Sequence, residues 1–575
     1  MIGKYIKLRV FLVGLAFIAL FAVIGAKAVH LQVYRSPWLA QKASSQYEQS
    51  LKSSGKRGTV YDRNSREMAV TIDVTSIAAR PSKIKHPKAA SRALAKILKA
   101  DRRRILKKLK SKGPFVWIKR QASPKETAAV KALNLDGIEF VPERNRFYPN
   151  KTLASQAIGF TGLDGYGLEG IEFSYDQYLR GSASKHTVFK DALGKVFNEA
   201  QKKEGRSGGH NIILTIDRAI QYITESALEE TVKEYSARSG MAIVMESQTG
   251  AILALAHVPL FNPNAYTDFN KELWRNRAIT DPFEPGSTMK IFSAAAAIES
   301  GNIKASTIFY CENGAYKIGR NVVHDIKKHG WLSLQQIIKY SSNIGAVKIS
   351  EKVGSKRLYV MFRKFGFGTK TEIDSPGETA GSLAHYKNWA TVDTGAISFG
   401  YGISVSAIQL ITAVSAIAND GILMKPYFVQ AITDQNNEPL KQFQPQTVRR
   451  VISKKTARIV KTIMKTVTTK GGTGVNAALE GYTVGGKTGT ARKLDKNGTY
   501  STTTHMASFV GFTPAENPKL SILVIIDEPK GKYYGGTVAA PVFRRIAREA
   551  LNYLNIPPGS GTKQFAISRR IGANG

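Results

Sequence analysis

The chain has 575 residues, 43% of them hydrophobic and 22% charged, which excludes a disordered or fibrous protein and exceeds what one hydrophobic core organises. Lysine and arginine outnumber acids 83 to 43, a formal charge of +40, and such a field suits nucleic acid, anionic lipid or an acidic wall polymer. The single cysteine, Cys311, excludes an intrachain disulfide.

In chain order, Lys4, Lys7 and Arg9 precede the uncharged run VFLVGLAFIALFAVIGA, Val10 to Ala26. A bilayer needs about 20 apolar residues, so 10–29 reads as a transmembrane anchor. The positive-inside rule then makes 1–9 a cytoplasmic tail. Ala26-Lys27-Ala28 also fits a cleavage site, so, a buried core helix aside, a signal peptide is the competing reading. Both readings place the rest of the chain outside the cytoplasm and remove nucleic acid from the partners.

A basic, turn-rich stretch follows. Within it SRALAKILKADRRRILKKLKSKG (91–113) carries Leu94, Ile97, Leu98, Ile105, Leu106 and Leu109 at helical spacing. Its basic face holds Arg102, Arg103, Arg104, Lys107, Lys108 and Lys110, either as a solvated face or as one that meets a membrane or polyanion. NEAQKKEGRSGGH (198–210) reads as a linker. NIILTID (211–217) reads as a strand, with Asp217 capping a helix that runs to Tyr235. The apolar runs Met241–Met245 and Ala251–Ala256 form one expected hairpin, and MASFVGF (506–512) with KLSILVIID (519–527) another. Between them, 285–470 is helix-rich. Strands at both ends with helices between predict an α+β domain whose first and last strands share one antiparallel sheet.

Chemistry concentrates in three places. FEPGSTMKIF (283–292) sets Ser287 one helical turn before Lys290, ahead of an alanine-rich helix closed by Gly301. Residues three apart share a helix face, and a desolvated lysine can take a serine's proton. A plain helix N-cap explains Ser287 alone better, and Ser-x-x-Lys recurs at Ser53, Ser82 and Ser182. Ser341 to Asn343, SSN, interrupts an apolar run with a hydroxyl fit for proton relay and an amide fit to hold a peptide bond. Gly485 to Ala491, GGKTGTA, offers Lys487 for a carboxylate, Thr488 and Thr490 as hydroxyl partners, and Gly489 for close backbone approach.

Taken singly, the second and third motifs also fit ordinary turns. Their order along the chain is that of penicillin-binding proteins and serine β-lactamases. The sequence resembles the class B penicillin-binding proteins over nearly its whole length. KRGTVYDRN (56–64), RFYPNKTLASQAIGFTG (146–162), GLEGIEFSYDQYLRG (167–181), SFGYGISVSAIQL (398–410) and GGTG (471–474) carry the likeness further. FEPGSTMK and SSNIG are more similar to the septal, cell-division branch than to the elongation branch.

The resemblance implies a penicillin-binding/transpeptidase α+β fold at 206–556, an elongated pedestal/dimerisation domain at 30–205 and a disordered tail at 557–575. It implies that Ser287 attacks a D-Ala-D-Ala amide, with Lys290 as base and Ser341 as relay. Asn343, Lys487, Thr488, Gly489 and Thr490 would bind substrate, and the backbone N–H groups of Ser287 and Thr490 would form an oxyanion hole. The expected partners are peptidoglycan stem peptides, β-lactams, the membrane, a glycan polymerase of the shape, elongation, division and sporulation family, and other divisome proteins. The expected location is the cytoplasmic membrane at the septum, with a periplasmic catalytic domain. No metal or organic cofactor is implied. An elongation-type transpeptidase, a D,D-carboxypeptidase and a β-lactamase-like hydrolase are the alternatives.

Overall fold

A computed structural model of the chain describes residues 2–36, 38–39, 42, 48–53, 55–181, 184–190, 196–199, 208–495 and 497–559. It divides into two compact units: Met1–Lys56 with Gly181–Gly208, and Arg57–Arg180 with Gly209–Gly575. The first contains helix α1, Ile2–Val29, which continues as a π-helical turn through His30–Tyr34. Leu8–Tyr34 is 27 residues long, apolar, and not covered by the protein. At 1.5 Å per residue it reaches about 40 Å, enough to cross a bilayer once. In the same unit Glu48–Ser53, Ser184–Lys190 and Val196–Glu199 form an antiparallel sheet in that order. Most of the expected linker and tail, at 200–207 and 560–575, lies outside the described residues.

The second unit begins with β1, Val60–Tyr61, and β2, Glu67–Ala79. Helices α2, Pro87–Leu98, and α3, Arg102–Leu109, lead to β3, Val116–Ala122. The single helical stretch expected at 91–113 is two helices. Lys99 turns left-handed at φ 47°, and Asp101 caps α3 by accepting a bond from Arg103 N. The apolar spacing survives the break because Leu94, Leu98, Ile105 and Leu109 all reach one small core. Helix α4, Pro124–Ala132, and β4, Ile138–Phe147, complete this lobe. Its strands share a seven-stranded sheet with β5, Asn211–Leu214, which lies parallel to β1. The motifs at 56–64, 146–162 and 167–181 meet in one buried ion cluster. Arg57 and Arg146 each donate to Glu172, at 2.7 and 2.6 Å, and Arg57 also reaches Asp176. Burial alone would raise the Glu172 pKa, but the charges of Arg146 and Arg57 hold it below the usual value.

Asp217 caps helix α5, Arg218–Glu234, through Ala219 N and Ile220 N. Next come β6, Ser239–Glu246, and β7, Ile252–Val258. The helical middle includes α6 (Lys290–Glu299), α7 (Leu334–Tyr340), α8 (Asn343–Val353), α9 (Ala407–Ala418) and α10 (Lys454–Val467). Strands β8 (Val429–Thr433) and β9 (Pro439–Gln442) extend the seven-stranded sheet beyond β5. Strands β10 (Gly485–Leu494), β11 (Tyr500–Thr513) and β12 (Leu520–Asp527) precede α11, Gly535–Tyr553.

The first and last strands do share one sheet. Its order is β7-β6-β12-β11-β10, antiparallel throughout. Met241, Ile243 and Met245 face the helical core, whereas Ala242 and Val244 face α5 and α11. Both faces are covered, which is why these strands read as unbroken apolar runs.

Candidate active site

Phe283 is fixed by a bridge to Val405, and Gly286 N donates to Gly400 O. Gly286 is left-handed at φ 55°, and the chain then makes one tight turn, Gly286–Met289, before α6. A Cβ on Gly400 would overlap the Gly286 backbone, so the SFGYG segment must stay bare there for the turn to form. Ser287 is not an N-cap: the turn has no side-chain cap bond, and among the described residues the Ser287 hydroxyl has no hydrogen-bond partner.

Lys290 is 1% exposed. Its Nζ donates to the Ser341 carbonyl at 2.6 Å, to Ser341 Oγ at 3.2 Å and to Asn343 Oδ1 at 2.7 Å. Lys290 Nζ makes no hydrogen bond to Ser287, because all three ammonium protons are committed to the SSN segment. Burial lowers the Lys290 pKa from 10.5 to about 7, and the Asp325 charge opposes that shift.

Ser341 terminates α7 in the left-handed region at φ 62°, a conformation a non-glycine residue holds only under local constraint. Its hydroxyl also accepts from Lys487 Nζ at 2.9 Å. Two lysines therefore donate to one oxygen, leaving the Ser341 proton available to a third group. Lys487 is fully buried; burial and then the charge of Lys290 drive its pKa well below 10.5. Lys487 lies on β10, at the edge of the five-stranded sheet, so the outward side of that strand faces no neighbouring strand.

Thr488 Oγ1 donates to Thr473 Oγ1 at 3.0 Å, giving the GGTG segment a positioning role. Thr490 Oγ1 accepts from Gly535 N at 3.1 Å and keeps its own proton to donate. Gly489 packs over Thr288 and Ser508, and a Cβ there would overlap the Ser508 hydroxyl. Asn343 has both ends of its amide engaged, Oδ1 by Lys290 and Nδ2 by His324 O. Of the other Ser-x-x-Lys serines, Ser82 is exposed in the short turn Pro81–Lys83 and Ser182 lies outside the described residues.

One residue escaped the sequence reading. Asp325 follows a short hairpin, Ala315–Ile318 with Asn321–His324. Its carboxylate accepts from Ser342 Oγ and Asn343 N, both at 2.5 Å, and from Ile344 N at 3.1 Å. It thereby caps α8 and holds the SSN segment against Lys290. A lone acid in VVHDIKK carries no motif. Only the fold places it at that helix end.

The motifs thus converge on two buried lysines, Lys290 and Lys487, joined through the half-buried Ser341, with Ser287 one turn before Lys290. Residues 240–548 match the penicillin-binding protein transpeptidase domain, and 52–214 the penicillin-binding protein dimerisation domain. The chain belongs to the penicillin-binding protein family. Within it, the chain is a class B, FtsI-like member. It is 36% identical to the probable peptidoglycan D,D-transpeptidase PenA of Neisseria meningitidis, over 96% of this chain and 93% of that protein. It is 32% identical to the peptidoglycan D,D-transpeptidase FtsI of Escherichia coli, over 98% and 95%. The crystal structure of penicillin-binding protein 3 from Mycobacterium tuberculosis complexed with aztreonam superposes with a TM-score of 0.69 at 26% identity, covering 88% of this chain and 98% of that one.

Proposed function

We propose that the chain is a membrane-anchored, serine-type peptidoglycan D,D-transpeptidase that cross-links stem peptides during septal wall synthesis and is acylated by β-lactams. The observation that carries this reading is the hydrogen-bonded chain Lys290–Ser341–Lys487, with the unbonded Ser287 hydroxyl one turn from Lys290.

With a pKa of about 7, Lys290 loses a proton readily near neutrality. Neutral, it gives up one donor, and its lone pair accepts the Ser287 proton. Ser287 Oγ bonds to the carbonyl carbon of the penultimate D-Ala, and the oxyanion rests on the N–H groups of Ser287 and Thr490. The C–N bond to the terminal D-Ala then breaks. Ser341 passes a proton to the departing amine and is reprimed by the lysines on either side. A side-chain amine of a second stem peptide attacks the ester, forms the new amide and returns the proton to Ser287. Lys487, Thr488 and Thr490 bind the substrate carboxylate, Gly489 lets the strand approach closely, and Asn343 turns its amide to the substrate peptide bond. A β-lactam opens on the same serine, but its leaving nitrogen stays tethered and blocks the second step.

In this reading 10–29 anchors the chain once in the cytoplasmic membrane, with 1–9 inside. Residues 30–205 form the periplasmic pedestal and 206–556 the transpeptidase domain. A glycan polymerase of the shape, elongation, division and sporulation family and other divisome proteins are its partners.

Labelled penicillin tests the core of this reading. One label per chain on Ser287, absent from Ser287→Ala, is expected; label retained by Ser287→Ala refutes it. With glycan strands bearing pentapeptides, cross-linked dimers together with free D-Ala are expected. Trimmed monomers alone would make the enzyme a carboxypeptidase.

A further inference from the structure

The pedestal lobe carries a charge feature that acyl transfer does not use. Between Lys83 and Lys112 the one acid is Asp101, and its carboxylate is occupied in capping α3. Lys88, Arg92 and Lys96 recur every four residues along α2, which lays them in one stripe on the helix surface, and Lys99 follows in the left-handed turn that ends it. Arg103 and Lys107 repeat the spacing on α3, with Lys110 at its C-cap. All seven side chains are exposed, and among the described residues none has an ion-pair or hydrogen-bond partner. Several cations elsewhere in the lobe are paired: Arg80 with Glu139, Lys85 with Asp136, Lys119 with Glu126, and Arg120 with Glu143 and Asp164.

These cations do not stabilise the lobe. Its core is Leu94, Leu98, Ile105 and Leu109 against Ile77, Ile118 and Val130. Like charges four residues apart repel along a helix, so the stripes oppose the helices that carry them unless an external anion layer faces them. They lie on convex helix surfaces, not in a cleft. A plane of mobile headgroups fits that shape better than a polymer that needs a groove. Beyond α3, Lys112 leads to the exposed Phe115, which packs edge-on against Trp117 at 4.9 Å. Basic residues beside an exposed aromatic suit the headgroup layer of a bilayer.

We propose that the α2–α3 face of the pedestal is a docking surface for anionic phospholipid headgroups of the membrane that anchors the chain. This rests on the proposed reading of α1 as the membrane anchor of this chain. Tethering supplies the local concentration that lets individually weak contacts act together.

The test uses the full chain in lipid nanodiscs, with one fluorophore on Ala100→Cys, an exposed position between the two stripes, and an energy acceptor on the lipid headgroups. Discs rich in phosphatidylglycerol are expected to give strong transfer, and phosphatidylcholine discs little. Raising the salt from about 0.1 M to about 1 M shortens the Debye length from about 10 Å to about 3 Å and is expected to abolish transfer. Glutamine at Lys88, Arg92, Lys96 and Lys99 together is expected to lower the bound-to-free ratio several hundredfold, at about fivefold per cation. Penicillin labelling of Ser287 should be unchanged in that variant, which reports an intact fold. Equal transfer in neutral discs, transfer retained by the glutamine variant, or no transfer in anionic discs by a chain that still acylates would each overturn the proposal. So would displacement of the lobe by soluble polyphosphate at matched phosphate concentration, which would make a free polyanion the ligand. Loss of acylation with transfer intact would instead count against the proposed function and leave the docking surface standing.

Discussion

Lys290→Met should silence acylation and yet stabilise the fold in mild acid. Burial holds Lys290 at about 7 instead of 10.5. Each pKa unit corresponds to about 1.4 kcal/mol, so below neutral pH this lysine costs about 5 kcal/mol of folding free energy. Methionine fills similar space with no charge to desolvate. Against that gain stand the three hydrogen bonds from Nζ to Ser341 and Asn343, each worth about 1 kcal/mol net. The variant should therefore be more stable by about 2 kcal/mol near pH 6. The advantage reverses with pH. The unfolded lysine keeps its proton up to about 10.5 while the folded one loses it near 7, so between these values the unfolded state binds more protons and wild-type stability climbs. Near pH 9 the remaining penalty is about 2 kcal/mol, and the variant becomes the weaker by about 1 kcal/mol. Calorimetric melting of both proteins in detergent at the two pH values reads the crossover. A variant that melts below wild type at both, or a difference that ignores pH, would refute the depressed lysine and its role as base.

Asp325→Asn keeps the shape of the cap but loses charge-assisted bonds to the SSN segment, so the acylation rate constant should fall about 10- to 100-fold. The Asp325 charge raises the Lys290 pKa, so the acidic limb of the pH–rate profile should also move to lower pH; an unmoved limb argues against this coupling. Glu172→Gln leaves the buried Arg146 without a counter-charge and Arg57 with Asp176 alone, and should destabilise the protein by about 3–5 kcal/mol in chemical denaturation. The Glu172 carboxylate is held below its usual pKa, so its contribution is present above the ordinary carboxylate range and fades as pH falls through the folded value, where the two proteins converge. Gly400→Ala forces a Cβ into Gly286 at a backbone φ of 91°. A displacement of about 1 Å at Ser287 should lower penicillin labelling about 100-fold, measured as the acylation rate.

Much of this site was legible in one dimension because its motifs are local. Ser287 and Lys290 are one turn apart, Lys487 to Thr490 are consecutive, and the SSN segment interrupts an apolar run. The hairpins and the capped helix after Asp217 were legible for the same reason, since their signals lie within a few residues. The break in 91–113 was not, because apolar spacing continues through a left-handed Lys99 without losing phase. Nor was the partner of Lys290. Helical spacing points it at Ser287, whereas the ammonium turns to the carbonyl, hydroxyl and amide that α7 and α8 bring to it.

The sequence by itself determined the long apolar N-terminal helix, the order of the three motifs and the α+β pattern, all of which follow from residue type and short-range periodicity. Only the tertiary structure decided what each polar group faces. It set two buried lysines on one serine hydroxyl, Asp325 under the SSN segment, Gly400 against Gly286, and Glu172 between Arg57 and Arg146. Desolvation and charge pairing depend on distances between residues far apart in the chain, so no reading of neighbours could supply them.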